Sequence, residues 1–500
     1  MPRPRRSPAP HMQSKGRARV RDLKIWIFCT GDGIIFFISG GKHRRFPEVI
    51  RSMNEKQNFT TGNLPLKMLS FMFPILGALI LQAMYSAVDL LIVGHFGTTA
   101  GLSAVSTGSN IMGLFTFPMA SLTTGVTVLI GQYIGEKRTE KIGELIGGAV
   151  FFLIILSLAI SALIFAFAPQ IAVIMQAPEE ALGLTVQYIR ICAVGYIFIV
   201  FYNFISAVMR GMGDSKTPLL LVVIACVVNI FGDLLLVAVF KLNVVGAAIA
   251  TIAAQALAVV LSLIVIRKRG LSFDFSAKMI RRTPLIGAFV KIGLPLCMQD
   301  LLTSGTFLAI CAFINALGLT SSSGYGVAHK IQSFILLIPA AFMQTLASVA
   351  AQNVGAGMEK RAREALRWSM AIGTALGIVI ALLIYFCGDW ISGLFTPDAE
   401  VVEKSFQYLR GFSIEAVVTC ILFSFMGYFN AHSLSLFVMI QGLVQSILIR
   451  LPMSYFMATY HGETLTGIGL AAPTATVLGI VFCICYYVWC RKKGKIRIEA

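Results

Sequence analysis

Twelve times between residues 68 and 490 the chain runs for roughly 20 residues almost without charge, the length an α-helix needs to cross the hydrocarbon core of a bilayer. These runs, spans 1 to 12, fall at 68–93, 103–132, 145–168, 184–209, 218–240, 245–266, 291–316, 325–351, 367–390, 408–430, 435–457 and 467–490. Lipid offers the backbone no hydrogen-bond partners, so each run must close its bonds internally as a helix. Only 13% of the residues are Asp, Glu, Lys or Arg, about half the share usual in soluble chains. The deficit extends along the whole length. An all-α polytopic membrane protein with 12 transmembrane helices is expected, not a soluble domain on an anchor.

The net charge of +18 reads first as a topology signal, because Lys and Arg collect in cytoplasmic loops. With the N-terminus inside, segments on that side hold 35 of the 41 Lys and Arg. Both termini are therefore expected in the cytoplasm, with the chain in the plasma (inner) membrane of a prokaryote, membrane lipids around it and no nucleic-acid partner. Residues 1–52 carry 12 Lys and Arg against 3 Asp and Glu. Their one apolar stretch, "IWIFCTGDGIIFFISGG", is broken by Asp32 and glycines and makes a poor spanning helix. This segment is expected to be a basic extension, disordered or upstream of a true start at Met53; the alternative is a basic arm on anionic lipid. Nearly all ten cysteines lie in apolar runs, where Cys packs as a small hydrophobe. For Cys490, at a helix end, palmitoylation competes with packing.

The spans repeat. Pro74 and Pro295, Gly97 and Gly318, and Pro118 and Pro339 lie 221 apart; Gln132 and Gln352, Gly135 and Gly355, Tyr188 and Tyr408, and Arg190 and Arg410 lie 220 apart. So many matches in one register indicate a duplication of six spans. Six is even, so both copies enter from the same side, and the halves are related by an axis along the membrane normal. The expected layout is two pseudo-symmetric six-helix bundles at 53–266 and 291–490, a cytoplasmic linker at 267–290 and a basic tail at 491–500. Binding sites are expected between the halves near the midplane.

Ionisable residues inside the runs are the candidates for function. "LQAMYSAVDLLIVGHFG" (81–97) carries Asp89, with no other acid between Lys67 and Glu136. A charge at bilayer depth costs about 3 kcal/mol or more, so such residues are functional by default. Asn229 and Asp233 are spaced i, i+4 and share a helical face. At 1.5 Å per residue, Asp233 lies about 22 Å beyond Pro218 and Asp89 about 33 Å beyond Lys67, both in the outer half. A carboxyl shielded from water, beside amides and hydroxyls that bond either protonation state, suits a proton carrier.

"VDLLIVGHFG" (88–97), "IGQYIGE" after span 2, "MRGMGDSKTPLL" (209–220) and "NIFGDLL" (229–235) together resemble the multidrug and toxic compound extrusion (MATE) transporters. The resemblance runs from about Asn63 to Arg491. It implies a V-shaped antiporter, not an enzyme, that expels amphipathic, often cationic, small molecules in exchange for protons or sodium. By the same resemblance the first bundle holds a cation-coupling site at Asp89, Asn203, Asn229, Asp233 and Thr251. The glutamate of the NorM-like branch on span 7 is replaced by Thr303, which places the chain nearer the DinF-like and bacterial drug-efflux branches. A proton is the preferred coupling ion, with sodium as the other candidate. No bound cofactor or metal is implied, and a monomer is expected to function.

Each residue has a plainer reading. Asp89 could cap a kink, and Asn203, Asn229 and Thr251 could bond neighbouring helices. Gln82, two turns before Asp89, Asp300, Glu415 and Arg450 are candidates for the substrate cavity. Glu415 and Arg450 could instead form an ion pair within the second bundle. Met119 and Met343 would suit a promiscuous cavity. His329 and Lys330 read as an interfacial pair at the start of span 8. Gly211, Gly213, Asp214 and Lys216 form a turn suited to gating. "GMGDSKT" lacks the glycine before lysine that a phosphate loop needs, which disfavours a nucleotide-driven pump. Two rivals remain: a flippase for lipid-linked oligosaccharides or precursors, which would want more intramembrane arginine than Arg450, and a non-transporting receptor or scaffold.

Overall fold

The computed structural model describes residues 25–30, 33–38, 58–269, 273, 275–460, 464–494 and 496. It forms two units, residues 1–56 and 57–500. In the first, strands β1 (Ile25–Thr30) and β2 (Gly33–Ile38) pair antiparallel with Thr30 opposite Gly33. The stretch too broken for a spanning helix thus pairs as a hairpin. The expected extension otherwise lies outside the described residues.

Among its described residues the second unit has helices joined by turns and no strand. Ten of its helices are long and apolar enough to cross a membrane, and two bent pairs bring the number to 12. Helix lengths repeat between the halves: 33 and 31 residues for spans 1 and 7, 37 and 37 for spans 2 and 8, 35 and 35 for spans 3 and 9. Side-chain caps set several starts. Asn63 accepts from the Leu66 amide just before Leu64–Phe96, with Pro65 in the first turn. Thr98 accepts from the Gly101 amide at 3.0 Å to open Thr99–Gly135. Asp398 accepts from the Glu400 and Val401 amides ahead of Ala399–Phe412.

Spans 4 and 10 are the bent pairs, Glu179–Val194 with Tyr196–Gly211 at 51° and Ala399–Phe412 with Glu415–Ala431 at 47°. Gly195 sits at the first break, where a Cβ would meet the Ile252 side chain at 2.4 Å. Its counterpart 220 positions on is Glu415, in the first turn of a new helix whose free N–H groups favour an acid. Spans 5 and 11 each loosen into π-helix, at Leu234–Val239 immediately after Asp233 and at Val444–Arg450. Single turns of this kind cluster at functional sites.

Spans 1 to 6 and 7 to 12 pack as two bundles, joined mainly through spans 1 and 2 against spans 7 and 8. The joint is made by missing side chains. A Cβ on Gly125 would lie 2.3 Å from the Phe289 carbonyl, and one on Gly293 2.1 Å from that of Leu122. Nearer the basic loops, a Cβ on Gly135 would lie 2.2 Å from the Gln352 carbonyl and one on Gly355 2.1 Å from the Gln132 carbonyl. The backbones meet directly at four points on the half of the spans that carries the basic loops. Farther from those loops, spans 2 and 8 pack within their own bundles, Gly108 against Tyr188 and Gly324 against Lys404.

Candidate functional site

Asp89, Asn229 and Asp233 are buried together inside the first bundle, the latter two with no exposed surface. The two carboxyls and the Asn229 amide lie within interaction range of one another. Thr251 on span 6 donates its hydroxyl to Asp89 Oδ2 at 3.2 Å. Among the described residues no other hydrogen bond of proper geometry satisfies the group: Asp89 Oδ1, both oxygens of Asp233 and both polar atoms of Asn229 are without partners there. Five unmet buried polar atoms in one place are exceptional, since such groups are nearly always bonded to protein or water. The set offers carboxylate, amide and hydroxyl oxygens to a proton or a small hard cation.

Four of the five coupling residues therefore come together. Asn203 does not. Its amide donates to the Ile199 carbonyl of its own helix at 2.9 Å, the ordinary back-bond of a polar residue in a helix. Sequence reasoning missed Tyr85, one turn before Asp89, whose hydroxyl donates to the Thr251 carbonyl at 3.3 Å. The i, i+4 spacing of Tyr85 and Asp89 was the available signal.

The four candidates for a substrate cavity have different direct neighbours. Gln82 reaches Tyr202 on span 4. Asp300 accepts a hydrogen bond from Ser121 and lines a pocket between the bundles. Glu415 is buried inside the second bundle, where Thr476 donates to its Oε1 at 2.8 Å. Arg450 lies over the Phe307 ring at 4.5 Å. No ion pair within 4.0 Å joins Glu415 and Arg450, because Arg450 turns to Phe307 and toward Tyr408 while Glu415 is held by spans 10 and 12. His329 also departs from expectation. Its helix starts ten residues earlier, at Leu319, so the ring packs inside against Phe307 and Tyr325, at 5.7 and 5.8 Å. Cys490 is fully buried, which fits packing and not lipidation.

At the end bearing the basic loops, two glutamines cross between the bundles. Gln132 of span 2 donates to the Ala431 carbonyl at 2.8 Å and to Ser433 Oγ at 3.2 Å. Gln352 of span 8 donates to the Gly211 carbonyl at 3.3 Å and accepts from the Phe59 amide at 3.2 Å. Gly211 thus supplies an acceptor within the expected turn. Gly213 holds the left-handed φ of +86° that the turn needs. Asp214 accepts from the Lys216 and Thr217 amides at 3.1 and 3.0 Å, which starts the helix of span 5 at Lys216. The opposite turn is fixed by Glu359, which accepts from the Tyr428 hydroxyl and lies 2.9 Å from His432 Nε2. Arg361 Nε donates to the Phe59 carbonyl at 2.9 Å, tying the segment before span 1 across the same end.

The chain matches the family model described as MatE twice, over residues 74–235 and 295–456, which start 221 positions apart, as the repeat requires. It is 27% identical over 437 residues to the probable multidrug resistance protein YpnP of Bacillus subtilis, covering 87% of this chain and 98% of that one. It is 23% identical over 426 residues to the probable multidrug resistance protein NorM of Bacillus cereus, covering 82% and 92%. A relative bearing the NorM name over nearly the same length leaves the likeness without preference for the DinF-like branch. Among solved structures, one titled as the outward-facing conformation of a multidrug resistance MATE family transporter superposes with a TM-score of 0.79 at 19% identity, over 87% of this chain and 97% of that one. With the repeat, the twelve spans and the family match in agreement, the chain belongs to the MatE family.

Proposed function

We propose that the protein is a secondary active exporter of amphipathic, often cationic, small molecules, driven by inward movement of a proton or sodium ion. The observation that carries this reading is the group of five unpartnered polar atoms on Asp89, Asn229 and Asp233. A receptor or scaffold gains nothing from such a group, because an unpaired buried charge is costly. A proton or a sodium ion removes that cost, and water removes it again when the bundle opens. Two neighbouring carboxyls with an amide and a hydroxyl suffice for either ion, and proton coupling is the reading we prefer. The names of the relatives, multidrug resistance proteins, support drug export.

Loops rich in Lys and Arg mark the cytoplasmic side, with both termini there. On that assignment the contacts of Gln132, Gln352, Gly135 and Gly355 hold the cytoplasmic end shut. The flippase alternative is less well supported, since Arg450 lies on Phe307 in the second bundle and the pocket between the bundles carries the acid Asp300. The deciding experiment is ethidium efflux from right-side-out vesicles under imposed pH or sodium gradients. Gradient-driven efflux is expected from the native chain and loss of it from Asp233→Asn. Efflux that survives Asp89→Asn together with Asp233→Asn would remove the coupling site.

A further inference from the structure

Gln132 closes the basic end by donating to Ala431 and Ser433, the residues on either side of His432. His432 ends the helix Glu415–Ala431, and its ring meets Glu359, the first residue of the span 9 helix Glu359–Gly393. Both side chains are 6% exposed. Imidazole Nδ1 lies 2.9 Å from the Tyr428 carbonyl, and Nε2 lies 2.9 Å from Glu359 Oε2. The other carboxylate oxygen of Glu359 accepts from the Tyr428 hydroxyl.

That arrangement fixes a count of protons. A carbonyl oxygen only accepts, so Nδ1 must carry hydrogen to bond it. A neutral imidazole has one N–H, which leaves a bare lone pair on Nε2 facing the carboxylate. The contact therefore needs one further proton between Nε2 and Oε2, held as imidazolium or as carboxylic acid. Tyr428 does not supply it, because its hydroxyl already donates to Oε1. The other ionisable groups about the pair are Arg363 of span 9 and, on span 12, Tyr487 with Arg491 at 5.9 Å from its ring centroid. Among these side-chain types only imidazole ordinarily changes charge between about pH 5 and pH 8.

The repeat shows why this turn needs a clamp. Gly213 corresponds to Ser433, 220 positions on, and both have left-handed backbone, at φ +86° and +59°. Glycine adopts that conformation freely, whereas serine is strained in it. Asp214, which accepts from two amides of the first turn, corresponds to Leu434, which has no side-chain acceptor. Met212 and Thr139 stand where the second copy has His432 and Glu359. The copy that lacks both the glycine and the aspartate is the one that carries the Glu359–His432 bond.

We propose that Glu359 and His432 form a proton sensor at the cytoplasmic turn, separate from the Asp89 group, which keeps the bundles closed while it holds its shared proton. Loss of that proton sets a lone pair against a buried carboxylate, displaces the ring and frees the strained turn that presents Ala431 and Ser433 to Gln132. The bond is present at low pH and lost as pH rises, so this end is shut in an acid cytoplasm and released in an alkaline one. For a carrier that admits protons, such a brake limits acidification. The inference goes beyond the exporter reading and depends only on the basic loops facing the cytoplasm.

The test is pulsed distance measurement between spin labels on the turns after spans 2 and 8, in the full chain in lipid nanodiscs. The background carries Asp89→Asn and Asp233→Asn, so that the coupling group contributes no titration. The open population is expected to rise severalfold between about pH 6 and pH 8. His432→Leu leaves Glu359 without this donor and should be open at both. Glu359→Gln should be closed at both, because an amide N–H donates to neutral Nε2 with no extra proton, and it serves where His432→Leu fails to fold. A distance distribution indifferent to pH in the background chain would overturn the sensor, as would a pH response that persists in Glu359→Gln. These readings need neither gradient nor substrate, so absence of ethidium efflux would refute the exporter reading alone.

Discussion

Gln132 and Gln352, 220 positions apart, make the same bond in opposite directions across the two bundles. Gln132 donates to Ala431 and Gln352 to Gly211, acceptors that are themselves 220 positions apart. The duplication has therefore kept not only spans and turns but a reciprocal contact between the copies. Both bonds and both close glycines lie at one end, so the bundles part there only if all four contacts are lost together.

Replacing either glutamine with alanine removes one of these bonds, worth about 1 kcal/mol. The population open at the basic end should rise severalfold in each single variant and more in the double. Spin labels on the turns after spans 2 and 8 report this by pulsed distance measurement. An unchanged distance distribution in the double variant would show that the bonds do not hold this end.

Gly135→Ala and Gly355→Ala should have larger effects than loss of a glutamine, because the new methyl would sit about 2 Å from a carbonyl oxygen of the other bundle. Backbone cannot step aside as a side-chain tip can, and overpacking of this kind costs typically 1–3 kcal/mol. The same labels should read a shift toward separation, with the bundles themselves still folded by circular dichroism.

Thr251→Val keeps the shape of the side chain and deletes the donor to Asp89. Asp89 would then have no hydrogen bond of proper geometry among the described residues. Gradient-driven efflux should fall by about tenfold, and Thr251→Ser should restore it. Equal activity of the Val and Ser variants would place Thr251 outside the coupling group.

Tyr85→Phe removes the hydroxyl that holds the Thr251 backbone. A smaller, roughly threefold loss of efflux is expected, since the contact acts through Thr251 and not on the carboxyls. If Tyr85 only positions Thr251, adding Tyr85→Phe to Thr251→Val should cost little more. Full additivity of the two losses would contradict that dependence.

Gly195→Ala puts a methyl into Ile252 at the bend of span 4. The expected cost is about 1–3 kcal/mol, seen as a lower melting temperature. Ile252→Val should recover part of it in the double variant.

Most of the architecture could be read from the chain because bilayer length and backbone satisfaction leave few options. The twelve spans, their duplication and the register of 221 needed only run lengths and the positions of a few prolines and glycines. Asp89, Asn229 and Asp233 were legible because a polar residue in an apolar run stands out. Asn203 was named through the family resemblance, yet its amide bonds its own helix, a choice set by side-chain direction. Tyr85 was hidden because a tyrosine in a membrane helix looks like packing. Glu415 and Arg450 invited pairing by charge; they lie within electrostatic range without forming a contact pair, and their direct contacts, Thr476 and Phe307, depend on helix rotation that no spacing rule gives. The bends at Gly195 and before Glu415, and the π-helical turns, likewise arise from packing between spans.

The reciprocal approach of Gly135 and Gly355 has a mechanical consequence. Backbone touching backbone at one extremity makes a fulcrum with almost no compliance. Span 2 is a helix of 37 residues rising from it, about 55 Å long. Each degree of tilt there carries the opposite rim through about 1 Å. A leverage of that kind turns a sub-ångström adjustment beside the contact into a displacement of several ångströms at the far rim.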